Sequence, residues 1–231
     1  MQALNLRTSR TPLPNGAAMV AGPVVMLVSY VIHTGVDGGA PGISLDTVRK
    51  MLATVAAHRP EALAGFALWG VAAALLIPAF GGLRAKRAKG ERLVAVGVPF
   101  AQVGLIAAIA VSALLGLVPH VLTAPGGGPG GPAVAAQLMH ALNDAMTPLY
   151  LAGLLFPLGT VILTIGLLRD PAVRWRAIPL GVGAIPTLFI FSGLPGIIAT
   201  ALMLTGFVWV GLRPGRATAP STPVQEPVPA A

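Results

Sequence analysis

The chain has 231 residues, of which 55% are hydrophobic and only 10% charged, with a formal net charge of +8. A soluble domain carries about 25% charged residues, so this composition excludes a soluble globular enzyme, a polar disordered chain and a coiled coil. Cysteine is absent, which removes disulfides, thiolate metal sites and a cysteine nucleophile, and the scarcity of aromatics leaves little stacking surface for nucleic acid.

An all-α integral membrane protein remains, because long apolar runs without alternation exclude a β-barrel. A spanning helix needs roughly 17–25 apolar residues. After a cytoplasmic segment, residues 1–15, a first span is expected at about 16–32. Its apolar core is long for a signal peptide, and the small-residue stretch Gly38-Gly39-Ala40 lies well past its end, so we read it as an uncleaved span. The following loop holds a helix capped by Ser44 and running to about Ala57, with Leu45, Val48, Leu52 and Val55 on one stripe. A second span, about 62–83, opens at Pro60-Glu61, and a third covers about 93–118. The tract Gly126–Pro132 lacks the Lys and Ser/Thr of a phosphate loop and reads as a linker to a helix at about 133–146. Thr147-Pro148 provides a cap and a first-turn proline for a fourth span, about 148–168. The run from Ala177 to Leu212 is too long for one span, and Ser192-Gly193-Leu194-Pro195-Gly196 divides it into spans at about 177–192 and 196–212. Residues 213–231, with five prolines, form a disordered cytoplasmic tail.

Six spans require both termini on one side. Twelve of the fifteen Lys and Arg fall in the two termini and the second and fourth connections, whereas only Arg49, Lys50 and Arg59 lie on the opposite side. The positive-inside rule therefore places both termini in the cytoplasm of a cell (inner) membrane. The same placement explains the basic balance through topology and anionic lipid, without nucleic acid. Trp175 and Trp209 fall at the inner interface, Tyr30 and Tyr150 at the outer one.

No ionisable residue lies within the six span cores; polar groups there are Ser29, Gln102, Ser112, Thr160, Thr164, Thr187, Thr200 and Thr205. This removes support for carboxylate-coupled proton transport and for voltage sensing. Pro23, Pro78, Pro99, Pro157 and Pro186 each fall inside a span and are expected to kink it. Gly65, Gly70, Ala74, Gly104, Ala108, Gly153 and Gly181 permit close helix approach, within one chain or between two copies.

All four histidines fall on the outer side. His140 and Asp144 are four apart on a predicted helix, hence on one face. Together with His33 and His120 they are the candidate ligands for a divalent metal, since zinc takes imidazole nitrogen and carboxylate oxygen. Asp37, Asp46 and Glu61 share that side. No HExxH is present, and histidines at span ends do not suit haem.

Ala152-Gly153-Leu154-Leu155-Phe156-Pro157-Leu158-Gly159, the run to Gly166-Leu167-Leu168-Arg169, and a short basic loop with Trp175 entering the next span resemble a group of uncharacterised actinobacterial multi-pass proteins, the domain-of-unknown-function 4386 family. The resemblance covers about residues 145–186, and it departs from the family pattern in lacking a proline directly before Arg174. It implies a multi-pass bundle and carries no catalytic residues. Twelve Arg against three Lys fit a GC-rich bacterial genome. The leading expectation is a non-enzymatic scaffold, partner-binding or permease-like module, whose partners are the lipid bilayer and a second copy or another membrane protein. The alternatives are a metal-dependent enzyme or sensor at the outer His/Asp group, and a small-molecule or lipid transporter built on the kinked helices.

Overall fold

The computed structural model describes residues 13–32, 43–84, 90–125, 131–171, 173–186 and 193–211. Among them there is no strand, and the helices in chain order are α1 (Leu13–Ile32), α2 (Leu45–Ala57), α3 (Arg59–Arg84), α4 (Glu91–Leu122), α5 (Gly131–Ala145), α6 (Thr147–Gly153), α7 (Leu155–Leu168), α8 (Arg174–Ala184) and α9 (Gly193–Gly211). Three apolar stretches are long enough to cross a membrane: Arg59–Leu83, Glu91–Leu122, and α6 with α7 as Thr147–Leu168. Ala17–Ile32 and Leu194–Val210 are apolar and shorter. Val24, Val28, Val103, Ile106, Ile165 and Leu202 stand exposed on the flanks of these helices. Contiguous apolar surface on that scale suits lipid rather than water.

The long helices form a closed ring. α1 packs on α3, α3 on α4, α4 on α6 and α7, α7 on α8, α8 on α9, and α9 returns to α1. Lipid offers no hydrophobic drive for helices to associate, so van der Waals packing and hydrogen bonds must hold such seams. The α4–α7 seam shows how. A Cβ on Gly104 would stand 2.1 Å from the Phe156 amide nitrogen, and one on Gly159 would stand 2.3 Å from that of Ala101. Backbone therefore rests on backbone, and any side chain at these points would force the helices apart. The α8–α9 seam repeats the device, with the Gly183 Cβ position 2.2 Å from the Met203 nitrogen. Of the small residues expected at seams, Gly104 faces such a contact, Gly181 meets the Thr164 side chain with its Cβ position 2.7 Å from Cγ2, and Gly153 has nothing within 4 Å.

Polar side chains in the helices are spent on backbone carbonyls. Ser29 of α1 donates to the Gly65 carbonyl at 3.0 Å, Gln102 of α4 to that of Ile77 at 2.9 Å, and Ser112 to that of Phe66. These three bonds stitch α3 to its two neighbours. Thr160, Thr164 and Thr205 bond back one turn along their own helices. Thr187 lies outside the described residues.

A second layer covers one end of the ring. The Ser44 hydroxyl accepts from the Thr47 amide and opens α2. Val48, Met51, Leu52 and Val55 of α2 pack with Ala136 and Met139 of α5 on Phe66, Leu115 and Met146 at the helix ends beneath.

Three local expectations change. Thr147 does not cap α6: Met146 holds that place in helical geometry with its amide on the Leu142 carbonyl, so no extended residue is left for a side-chain cap. The fourth expected span is present as Thr147–Leu168 but is interrupted for one residue at Leu154, between α6 and α7. Pro157 has no N–H to give the Gly153 carbonyl, and the break falls beside that missing bond. Pro186 lies beyond the end of α8 instead of inside a helix, and the proline within α8 is Pro179. Ile185 just before it keeps helical backbone angles (φ −61°, ψ −52°), but Pro186 has no N–H to give the Val182 carbonyl, and α8 ends there.

Candidate functional site

The covered end of the ring gathers most of the chemistry-bearing side chains. Arg59 opens α3, and its Nη2 donates to the His120 carbonyl in the last turn of α4 at 2.8 Å. A cation at a helix C-terminus meets the negative end of the dipole and an unsatisfied carbonyl together. Thr123 reinforces this end, its hydroxyl donating to the Pro119 carbonyl at 2.8 Å. The bond thus ties the start of α3 to the end of α4 directly beneath α2.

On α5, His140 Nδ1 lies 3.7 Å from Asp144 Oδ2. Sequence spacing had placed these two on one face, and the structure brings them together. The separation exceeds a hydrogen bond and suits an ion pair when the imidazole is protonated. Arg59 Nε, His120 Nδ1 and His140 Nδ1 are buried atoms without a hydrogen-bond partner. Asp46 is engaged with Lys50 at 2.8 Å on the exposed face of α2, and the ammonium beside it holds its carboxyl below the usual carboxylate range. His33 and Asp37 lie outside the described residues. Among the described residues no three His, Asp or Glu side chains gather as a metal-ligand set. His140 and Asp144 therefore supply a pair, and His120 holds its backbone to Arg59 instead.

Asn143 stands next to this pair in the sequence, and its role comes from burial rather than spacing. It is fully buried on α5 between Met139 and Met146, and its Oδ1 accepts from the Tyr150 hydroxyl at 2.9 Å. The signal was a seven-residue separation across two helices joined through the single residue Met146. This bond locks α5 onto α6 and so fixes where His140 and Asp144 stand.

The ring axis is the other place a ligand would need. Phe80 of α3 meets Phe156 edge-on at 6.1 Å between centroids and Phe207 tilted at 4.9 Å. These rings reach across the ring from helices that are not neighbours. With Leu76, Leu180, Met203 and Leu204 they leave an apolar crevice of about 10 Å³, room for no more than one water molecule. Among the described residues the axis is filled by aromatic side chains beneath the α2–α5 cap.

Compared with known proteins, the chain matches no family model, no curated protein and no solved structure.

Proposed function

We propose that this chain is a six-span inner-membrane protein with both termini in the cytoplasm, working as a non-enzymatic scaffold that offers its outer α2–α5 cap to another membrane protein or a second copy. The observation that carries this reading is the filled axis: Phe80, Phe156 and Phe207 occupy the path a permeating solute would need. The basic residues concentrated at the uncapped end support the orientation. The exposed flanks of α1, α4, α7 and α9 support the membrane setting. α8 and α9 are read as two spans of one hairpin, joined by the Gly183–Met203 approach. A bacterial source and kinship with the domain-of-unknown-function 4386 family belong to the same proposal and rest on residues 145–186.

Cysteine accessibility tests the topology cleanly, because the native chain has none. Thr47→Cys, exposed on α2, reacts with an impermeant maleimide on intact cells. Glu91→Cys, exposed at the start of α4, reacts only after permeabilisation. The reverse pattern overturns the orientation. Elemental analysis of detergent-purified, tag-free protein is expected to give far less than one metal per chain. Stoichiometric zinc lost on His140→Ala would replace the scaffold by a metal-dependent enzyme or sensor.

A further inference from the structure

We infer that the uncapped end of the α4–α7–α8 seam binds the phosphate of an anionic phospholipid, with the exposed face of α8 lying along its acyl chains. The inference rests on the membrane-spanning reading and goes beyond it by assigning a ligand and a site.

Four arginines from three separate stretches of chain lie at helix ends along this rim. Arg92 stands in the first turn of α4, Arg169 follows α7, and Arg174 and Arg176 open α8. This placement comes from packing that the sequence does not display. Gly90 is in the left-handed region at φ 77°, and a Cβ there would lie 2.2 Å from the Gly166 carbonyl. A Cβ on Gly166 would in turn lie 3.1 Å from that of Leu93. The start of α4 is thereby pressed against the end of α7. A tight turn, in which Val173 and Arg174 both donate their amides to the Asp170 carbonyl at 3.0 Å, brings α8 alongside.

None of the four arginines has an ion-pair partner among the described residues, and the carboxylates on the rim are Glu91 and Asp170. Four cations against two acids leave a net positive rim. A guanidinium fork matches a phosphate bidentately, which makes arginine the suited residue.

The second observation separates a lipid from a free phosphate ion. Below the arginines, α8 presents Trp175, Ile178 and Val182 on one exposed face, continued by Ile185 just past its end, with Trp175 68% exposed. Arg174 lies over the Trp175 ring at 5.0 Å, which holds the guanidinium at the depth of the indole. Trp209 of the neighbouring α9 is also exposed. Indoles settle at headgroup depth, so the charged end and the apolar strip follow the order of a phospholipid, phosphate first and chains beneath.

The test uses full-length protein in detergent, and retained lipid is counted by native mass spectrometry after addition of dioleoylphosphatidylglycerol or dioleoylphosphatidylcholine. The glycerol lipid is expected to be retained and the choline lipid not, with millimolar inorganic phosphate failing to displace it. Each arginine changed to glutamine among Arg169, Arg174 and Arg176 is expected to weaken retention about fivefold, while Arg49→Gln on α2 leaves it unchanged. Equal retention of both lipids, full displacement by inorganic phosphate, or an unaffected triple variant overturns the site. Should the triple variant fail to fold, Arg174→Lys keeps the charge and removes the fork. Energy transfer from tryptophan to dansyl-phosphatidylglycerol in vesicles then reads the site in the native chain. Alkaline extraction of those vesicles separates the failures: protein that washes off refutes the membrane reading, and protein that stays without lipid preference refutes this inference alone.

Discussion

Replacing Gly104 by alanine tests whether backbone contact holds the α4–α7 seam. The new Cβ would stand 2.1 Å from the Phe156 nitrogen and 2.6 Å from its Cα, where ordinary contact begins at 3.4 Å. Both neighbours are main-chain atoms, so no rotamer change relieves the clash. The helices must part by about 1 Å, and a gap of that size forfeits a quarter to a half of each affected dispersion contact. Overpacking of this kind costs about 1–3 kcal/mol and occasionally more; the upper end is expected here, because Gly97 and Gly159 share the seam and lose contact with it. Gly153→Ala is the control. Nothing lies within 4 Å of its Cβ position, and glycine to alanine in a helix stabilises by about 0.5–1 kcal/mol. The assay is unfolding in mixed dodecylmaltoside–SDS micelles, followed by fluorescence of the three tryptophans. If Gly104→Ala unfolds at the same SDS fraction as Gly153→Ala, the seam is not held as argued.

Two further outcomes follow from the cap. Asn143→Ala removes a fully buried acceptor and strands the Tyr150 hydroxyl, for a loss of about 2 kcal/mol. Tyr150→Phe is expected to cost less, and the double variant to fall short of the sum, which the same unfolding assay reads. The Asp46 carboxyl is held low by Lys50, so its contribution is present above the unfolded carboxylate pKa and is lost as pH falls through the lower folded value. Lys50 is raised by Asp46, so its share is lost instead as pH climbs through the folded ammonium value. The melting difference between native protein and Asp46→Asn is expected to be largest near neutral pH and to vanish by about pH 2. A difference that persists in acid refutes the pairing.

The helices were legible where a local rule governs them. The Ser44 cap and the apolar stripe of α2 follow from spacing alone, as does the His140–Asp144 pair at one turn. What sequence left hidden was set by neighbours distant along the chain. Arg59 reaches a carbonyl at His120, and Asn143 is buried only because α5 continues into α6. Which glycines make seams was equally unreadable: Gly104 and Gly153 look alike in sequence, and only the position of α7 separates them. Thr147 misled because capping rules assume a chain that arrives extended, and here it arrives helical.

The contact of α9 with α1 has a consequence for synthesis. α9 packs against α1, so one face of α1 is completed by a helix made long after it. While the ribosome is still producing the intervening helices, that face has only lipid or another protein beside it. A ring built this way leaves its opening seam vacant until α9 has been made. An insertase or chaperone that shields α1 during that interval would act at the stage when the nascent chain is most open to mispairing.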